Sequence, residues 1–578
     1  MQSDVREIFI MMRYSVVNEK KENGVHYTPK TLSDFVADKI YKAIPIDFQQ
    51  HCIHLMDPAV GNGELLCSLL NVLSSNQINN IKLTGFDTDK NAILSANQRI
   101  LSEFPHIPLS LRNKDFLEFA FNNKKQLGLF DDNNFERFDV VIANPPYVRT
   151  QIMGGKKSQE LSKQFNLTGR VDLYHAFIQG ISHVLRPNGV AGIIISNKLL
   201  STKSGASIRE KILNDFDVLG IWDLGDTRLF EAAVLPAVLL LRKRNEIKMT
   251  QKSSFTSIYA SQGNPAEIVD NAISALDKEG IISTLDGNIY LVKQGELEYG
   301  QSPKNVWRIA NRKSEDWLST VRDNTAYSFD EIGDIKVGVK TTADKVFIRT
   351  DWNDLPENEQ PELLRPLVTH HIARRYKSIE PSEHREILYP HMIIQGKRKV
   401  INLDNYPKTS RYLEKHRSVL EARSYLIDSG RLWYEIWVPQ DPGAWETPKI
   451  VFRDISEKPS FWMDLSKSVI NGDCYWITCK KPQQVELLWL MLAVANSTFA
   501  EVFYDYRFHN KLYAGRRRYI TQYVKEFPLP DPNTSLAKQI IQTTQKIYNL
   551  LPTQDVTKLD KLLDQLVWQS FGFNQKSL

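Results

Sequence analysis

The chain has 578 residues, 42% of them hydrophobic and 24% charged, and its 73 Lys and Arg against 68 Asp and Glu give a formal net charge of +5. That length exceeds what one hydrophobic core organises, so at least two domains are expected, and no apolar run approaches the length of a membrane span. Asp4 and Glu7 precede the first apolar patch, unlike a secretory signal, so the expectation is a cytoplasmic protein with no membrane contact. The small basic excess suits an anionic partner without requiring one. Four cysteines, Cys52, Cys67, Cys474 and Cys479, are too few and scattered for a disulfide framework or a zinc site, so no metal is expected.

Between residues 25 and 245, short apolar runs alternate with amphipathic segments of helix length, the pattern of an α/β domain with a largely parallel sheet. The predicted strands are Ile53–Met56, Lys82–Phe86, Phe138–Ala143, Gly189–Ser196, Val218–Leu224 and Ala237–Arg242, with helices such as Thr31–Ala43 and Leu173–Leu185 between them. From Asn245 to Asn264 the chain becomes polar and rich in breakers, which predicts a boundary near there. Ten of the eleven tryptophans lie beyond residue 300, which points to a second, irregular domain with its own aromatic core. Ser535–Val567 reads as helices. Basic clusters at Arg374-Arg375, Lys397-Arg398-Lys399 and Arg516-Arg517-Arg518 could form a phosphate-tracking surface.

The segment Asp57-Pro58-Ala59-Val60-Gly61-Asn62-Gly63 sets a glycine-rich turn directly between a strand and the helix Leu65–Leu73. In that context Gly61 and Gly63 allow the close backbone approach that an adenosyl ligand needs. Strand then acid recurs at Lys82–Asp87, which puts Asp87 where a carboxylate accepts hydrogen bonds from ribose hydroxyls. Next comes Asn113-Lys114-Asp115-Phe116, whose Asp115 could hold an adenine amino group. The phosphate-cradling G-x-x-x-x-G-K-[ST] pattern is missing, so the expected cofactor lacks phosphates.

Phe138–Ala143 reads as a buried strand running into Asn144-Pro145-Pro146-Tyr147 at the carboxyl edge of the sheet, where α/β proteins bind ligands. The prolines stiffen the backbone and remove two donors, leaving carbonyls to point into a pocket. A nucleobase amino nitrogen is conjugated with its ring and attacks poorly until acceptors draw its hydrogens aside. The Asn144 side-chain oxygen and the Pro145 carbonyl would be those acceptors for attack on a sulfonium methyl, without metal or covalent nucleophile. Tyr147 would stack on a base extruded from the duplex.

These residues in this order resemble the gamma group of amino-directed DNA methyltransferases of restriction-modification systems, over about residues 20–245. The resemblance implies S-adenosylmethionine as cofactor and a Rossmann-like mixed seven-stranded sheet, followed by a C-terminal α+β target-recognition domain. Gly24-Val25-His26-Tyr27-Thr28-Pro29 looks like the family's N-terminal cofactor motif, which implies Thr28 and Pro29 near the methionine carboxylate. Asp172-Leu173-Tyr174-His175-Ala176-Phe177 looks like the segment whose aromatic, here Phe177, packs on the cofactor adenine. Gly225-Asp226-Thr227-Arg228-Leu229-Phe230 matches the element that offers a second aromatic, Phe230, to the flipped base. The N-P-P-Y form is associated with adenine N6, whereas cytosine N4 enzymes tend to carry serine first.

The implied organisation is a cofactor-binding catalytic domain over 1–260, a connecting segment over 261–330, a target-recognition domain over 331–530 and a helical segment over 531–578. Methyltransferases acting on RNA guanine or on protein amides share the box but are usually shorter. A C-terminal region of about 300 residues with basic clusters, among them Lys397, Arg398 and Arg516 to Arg518, fits double-stranded DNA better. The stretch ahead of the cofactor motif is too short for a nuclease core, so a separate restriction endonuclease is expected rather than a bifunctional enzyme. Methylating one strand at a time needs no two-fold symmetry, so a monomer is expected.

Overall fold

The computed structural model describes residues 28–126, 136–148, 155–169, 171–227, 229, 235–245, 252–300, 302–381, 383–508 and 516–573. They form two compact units, one ending at Asn311 and one running from Arg312 to Phe573.

The first unit is built on a mixed sheet. Strands β1 (Ile53–Asp57), β2 (Ile81–Asp87), β3 (Leu109–Asn113), β4 (Phe138–Ala143), β5 (Leu185–Ser196), β6 (Phe216–Asp223) and β7 (Pro236–Lys243) lie in the order 3-2-1-4-5-7-6. All neighbours are parallel except β7, which runs antiparallel between β5 and β6. β1, β4 and most of β5 and β7 are buried throughout, as strands covered on both faces should be. Alternate side chains enter opposite cores. Val140 and Ile142 of β4 pack with helix α1 (Lys30–Ala43) and helix α2 (Glu64–Ser75), while Val141 and Ala143 pack with Phe116 and with Phe177 and Ile178 of helix α3 (Leu173–Val184).

This seven-stranded mixed sheet is the α/β methyltransferase architecture expected from the sequence, and the six predicted strands are all present. Five further strands extend it. β8 (Ser254–Ala260) pairs parallel with β6, and β9 (Glu267–Val269), β10 (Gly280–Thr284), β11 (Ile289–Glu298) and β12 (Arg308–Ala310) continue outward from it. The first unit therefore extends past residue 260, and strands β9 to β12 belong to its sheet instead of to a connecting segment. The reason is visible in β11, where only alternate residues Tyr290 and Val292 are well buried, so its composition reads as polar.

The second unit carries a four-stranded antiparallel sheet in the order Gly333–Val337, Cys474–Cys479, Lys449–Arg453, Phe461–Asp464. Trp352, Trp445, Trp462 and Trp476 are fully buried in its core with Tyr412 and Phe347. The helices Ser535–Leu550 and Thr557–Ser570 belong to this unit and not to a separate C-terminal segment. The Trp568 indole donates to Thr498 Oγ1 at 2.8 Å, and the Arg375 guanidinium spans Asp560 at 2.5 and 2.9 Å. Among the described residues no single helix is long and apolar enough to cross a membrane, and the four cysteines form no disulfide.

Candidate active site

Because β1 to β4 are parallel, the turns that follow them gather at one edge, and that edge holds most of the residues singled out in the sequence. Asp57 closes β1 and is fully buried. Its Oδ1 accepts from Ala59 N at 2.9 Å, but its Oδ2 has no partner among the described residues. Burial, with a smaller contribution from the Asp87 charge, pushes this carboxyl up to about 8. Pro58 and Ala59 carry the chain to Val60, whose N–H donates to Phe86 O at 2.8 Å and ties the turn to β2. Gly63 adopts φ +81° as it enters α2, a left-handed geometry that side chains resist.

Asp87 closes β2. Its two carboxylate oxygens accept from Gly61 N and Asp89 N, both at 2.9 Å, so the ends of β1 and β2 are joined through one side chain. Asp115 is exposed and caps the following helix through Leu117 N at 2.8 Å. Phe116 and Phe177 are buried together with ring centroids 5.6 Å apart.

Asn144 follows β4. Its Nδ2 donates to Thr28 Oγ1 at 2.9 Å, while its Oδ1 is buried and has no partner among the described residues. Thr28 and Pro29 stand at the start of α1, so the helix entry and the tetrapeptide are one hydrogen-bonded unit. Pro145 is buried, and Pro146 and Tyr147 are half-buried. The Tyr147 hydroxyl is buried without a partner among the described residues, and burial holds its phenol well above its usual range. Tyr174 lies beside it, ring centroids 6.5 Å apart. His175, next along α3, is buried, its Nε2 has no partner among the described residues, and burial lowers it to about 4, which keeps the ring neutral.

Three residues on the same edge were not singled out in the sequence. Asp223 ends β6 and is 1% exposed. It accepts from Tyr259 Oη at 2.6 Å, Asn197 Nδ2 at 3.1 Å and Gly225 N at 3.2 Å. Burial pushes it up to about 6 against these bonds. Gly225 is required here, because its φ is +47° and a Cβ would stand 2.2 Å from Ile258 O. An acid closing a strand, as at Asp57 and Asp87, was the available signal for Asp223. Tyr259 carried none, since it sits on the unexpected β8. Phe230 lies outside the described residues.

The candidate basic residues fall differently. Lys397, Arg398 and Arg516 are exposed. Arg517 is only 8% exposed and is held by Asp505 at 2.8 and 2.9 Å and by Glu501 at 3.3 Å. Its expected place in a DNA-binding surface is corrected by this: the charge is spent inside the second unit. Arg518 is half-exposed but donates from Nε and Nη2 to the Asp454 carboxylate, both at 3.0 Å.

Residues 64–230 match the Eco57I restriction-modification methylase family and residues 391–529 the TaqI-like C-terminal specificity domain. The whole chain is similar to the type II methyltransferase M.BanIII of Aneurinibacillus aneurinilyticus, 37% identical over 569 residues that cover 96% of this chain and 98% of the relative. The chain belongs to the type II restriction-modification methyltransferase family. Other type II methyltransferases match it more distantly, among them M.BstVI of Geobacillus stearothermophilus, 25% identical over 69% of this chain and 68% of its own. M.XhoI of Xanthomonas vasicola is 25% identical over 68% of each chain.

This type II methyltransferase is thus a DNA methyltransferase that uses S-adenosylmethionine, with a specificity domain inside its second unit. The edge of β1 to β4 suits that cofactor on its own evidence. The lone Asp57 Oδ2 calls for a donor or cation, the acid-bearing turns offer acceptors to a ribose, and the described residues include no phosphate-binding loop.

Proposed function

We propose that this type II methyltransferase methylates the exocyclic N6 of an adenine flipped out of double-stranded DNA within a short recognition sequence. The observation that carries the reading is the Asn144 amide, fixed through Nδ2 by Thr28 and left with a buried Oδ1 that has no partner among the described residues. Such an acceptor is poised for one amino hydrogen of the base, and the Pro145 carbonyl is the candidate for the other. Acceptors set in advance localise the nitrogen lone pair without reorganisation during reaction. Tyr147 offers its ring face to the base, with Phe230 as the second candidate aromatic.

S-adenosylmethionine, when bound, supplies the electrophilic methyl. Asp57 would satisfy its lone oxygen on the methionine ammonium and Asp87 would accept from the ribose. Asp115 would accept from the adenine amino group, and Phe116 and Phe177 would wall the adenine. Thr28 and Pro29, Pro58, Ala59, Gly61 and Gly63 complete the cofactor-binding set. Asn144 in place of a serine favours adenine N6 over cytosine N4. The enzyme would act as a monomer in the cytoplasm and protect host DNA from a separate restriction endonuclease.

The test is methyl transfer from labelled S-adenosylmethionine to duplex DNA, RNA and protein offered separately. The reading expects label in duplex DNA alone. Label in RNA or a protein amide but never in DNA refutes it, and magnesium-dependent cutting of unmethylated DNA would establish the bifunctional alternative.

A further inference from the structure

Within the second unit, His391–Ile394 and Lys397–Val400 form a two-stranded antiparallel ribbon that pairs with no other strand among the described residues. Its turn is Gln395-Gly396, both at positive φ, +52° and +72°, the two-residue connection that preserves strand twist. The base of the ribbon is anchored. His391 is buried and accepts from Ile436 N at 3.1 Å, and Met392 packs against the aromatic core. The tip is not: Ile393 and Ile394 are 43% and 37% exposed.

Cross-strand register puts Ile393 opposite Arg398 and Ile394 opposite Lys397. Directly opposed residues share a face, so each face of the tip carries one isoleucine beside one cation. Lys399 adds a third charge, and the ribbon contains no acid. None of the three cations lies in an ion pair with a described carboxylate; Arg398 only donates to Gln440 O at 3.0 Å. That separates them from Arg517 and Arg518, whose charges are neutralised internally.

A two-stranded ribbon fits the width of the DNA major groove, whose walls are phosphate backbones and whose floor carries the apolar C5-methyl of thymine. Cations on both faces match two anionic walls, and isoleucines at the leading end match an apolar floor. We propose that this ribbon enters the major groove tip first, with Lys397, Arg398 and Lys399 on phosphates and Ile393 and Ile394 against thymine methyls. The assignment makes the ribbon a specificity element, and it rests on duplex DNA being the substrate proposed above.

The experiment uses the full-length protein and a duplex carrying the sequence at which the wild type deposits methyl groups, beside a scrambled duplex. Affinity is measured over a range of salt for wild type, Lys397→Gln/Lys399→Gln and Ile393→Ser/Ile394→Ser. The lysine pair should flatten the salt slope by about 1.8, at about 0.9 per lost phosphate contact, and weaken both duplexes alike. The isoleucine pair should keep the slope and lose about tenfold in preference for the site. Replacing the site's thymines by uracil should reproduce that loss in wild type and change nothing in the isoleucine variant. Wild-type slope in the first variant, or wild-type preference in the second, overturns the assignment. A wild type that methylates no DNA instead overturns the substrate reading, and it does so before any variant is compared.

Discussion

Asn144 Nδ2 donates to Thr28 Oγ1 at 2.9 Å, linking the residue after β4 to the entry of α1 across 116 positions of sequence. The bond fixes the plane of the amide and thereby the direction of the free Oδ1. Thr28 is therefore a positioning residue for the amide as well as a candidate cofactor neighbour. Thr28→Val keeps the shape and removes the hydroxyl. It should lower kcat by about tenfold or more, while the KM for DNA changes little, because the loss falls on an interaction made in the transition state. Steady-state kinetics with DNA varied check this, and an unchanged kcat contradicts it.

Asp57 gives a pH prediction whose sign is fixed. The folded protein holds a proton on this carboxyl up to about 8, whereas the unfolded chain releases it near 3.8. Stability from this group is full at low pH and falls as pH rises through that window, by about 1.4 kcal/mol per unit. Asp57→Asn cannot ionise, so without cofactor its Tm relative to wild type should climb from pH 5 to pH 8, while its S-adenosylmethionine affinity falls. Thermal melts across that range, paired with cofactor titration, would show a flat Tm difference if the account were wrong.

The strands that bear these residues were legible because they are covered on both faces, which writes an apolar run such as Val140–Ala143 into the sequence. The turns were legible because glycine and proline are needed there. What escaped was partnership. Nothing in the sequence says that Thr28 meets Asn144, or that Tyr259 meets Asp223 at 2.6 Å, since such pairs depend on which strand lies beside which. The run Arg516-Arg517-Arg518 shows the same limit from the other side, for one-dimensional charge does not reveal that Asp505 consumes Arg517. Strands β10 and β11 escaped because one-sided burial leaves a mixed composition.

Arg517→Ala should therefore act on stability. Removing the guanidinium takes away the ion pairs that Arg517 makes with Asp505 and Glu501, and breaking a buried pair costs about 3–5 kcal/mol. Denaturant unfolding should reveal that loss, while Arg516→Ala, at an exposed position, should unfold like wild type. Equal stability in the two variants would refute the distinction.

Tyr147 separates ring from hydroxyl. Its Oη is buried and makes no hydrogen bond to any described residue, so Tyr147→Phe should retain catalysis within a few-fold. Tyr147→Ala removes the proposed stacking face, worth about 1–3 kcal/mol per base. Fluorescence of 2-aminopurine placed at the target adenine should rise on binding wild type and Tyr147→Phe, with a smaller rise for Tyr147→Ala. An equal rise in all three would exclude Tyr147 from holding an extruded base.

The most direct measurement is nucleoside analysis of duplex DNA after incubation with labelled S-adenosylmethionine and either wild type or Asn144→Ala. The account predicts that wild type places all label in N6-methyladenine at one short sequence, and that Asn144→Ala loses about 100-fold or more in kcat while still binding that duplex. Label in N4-methylcytosine, or undiminished turnover by Asn144→Ala, would contradict it.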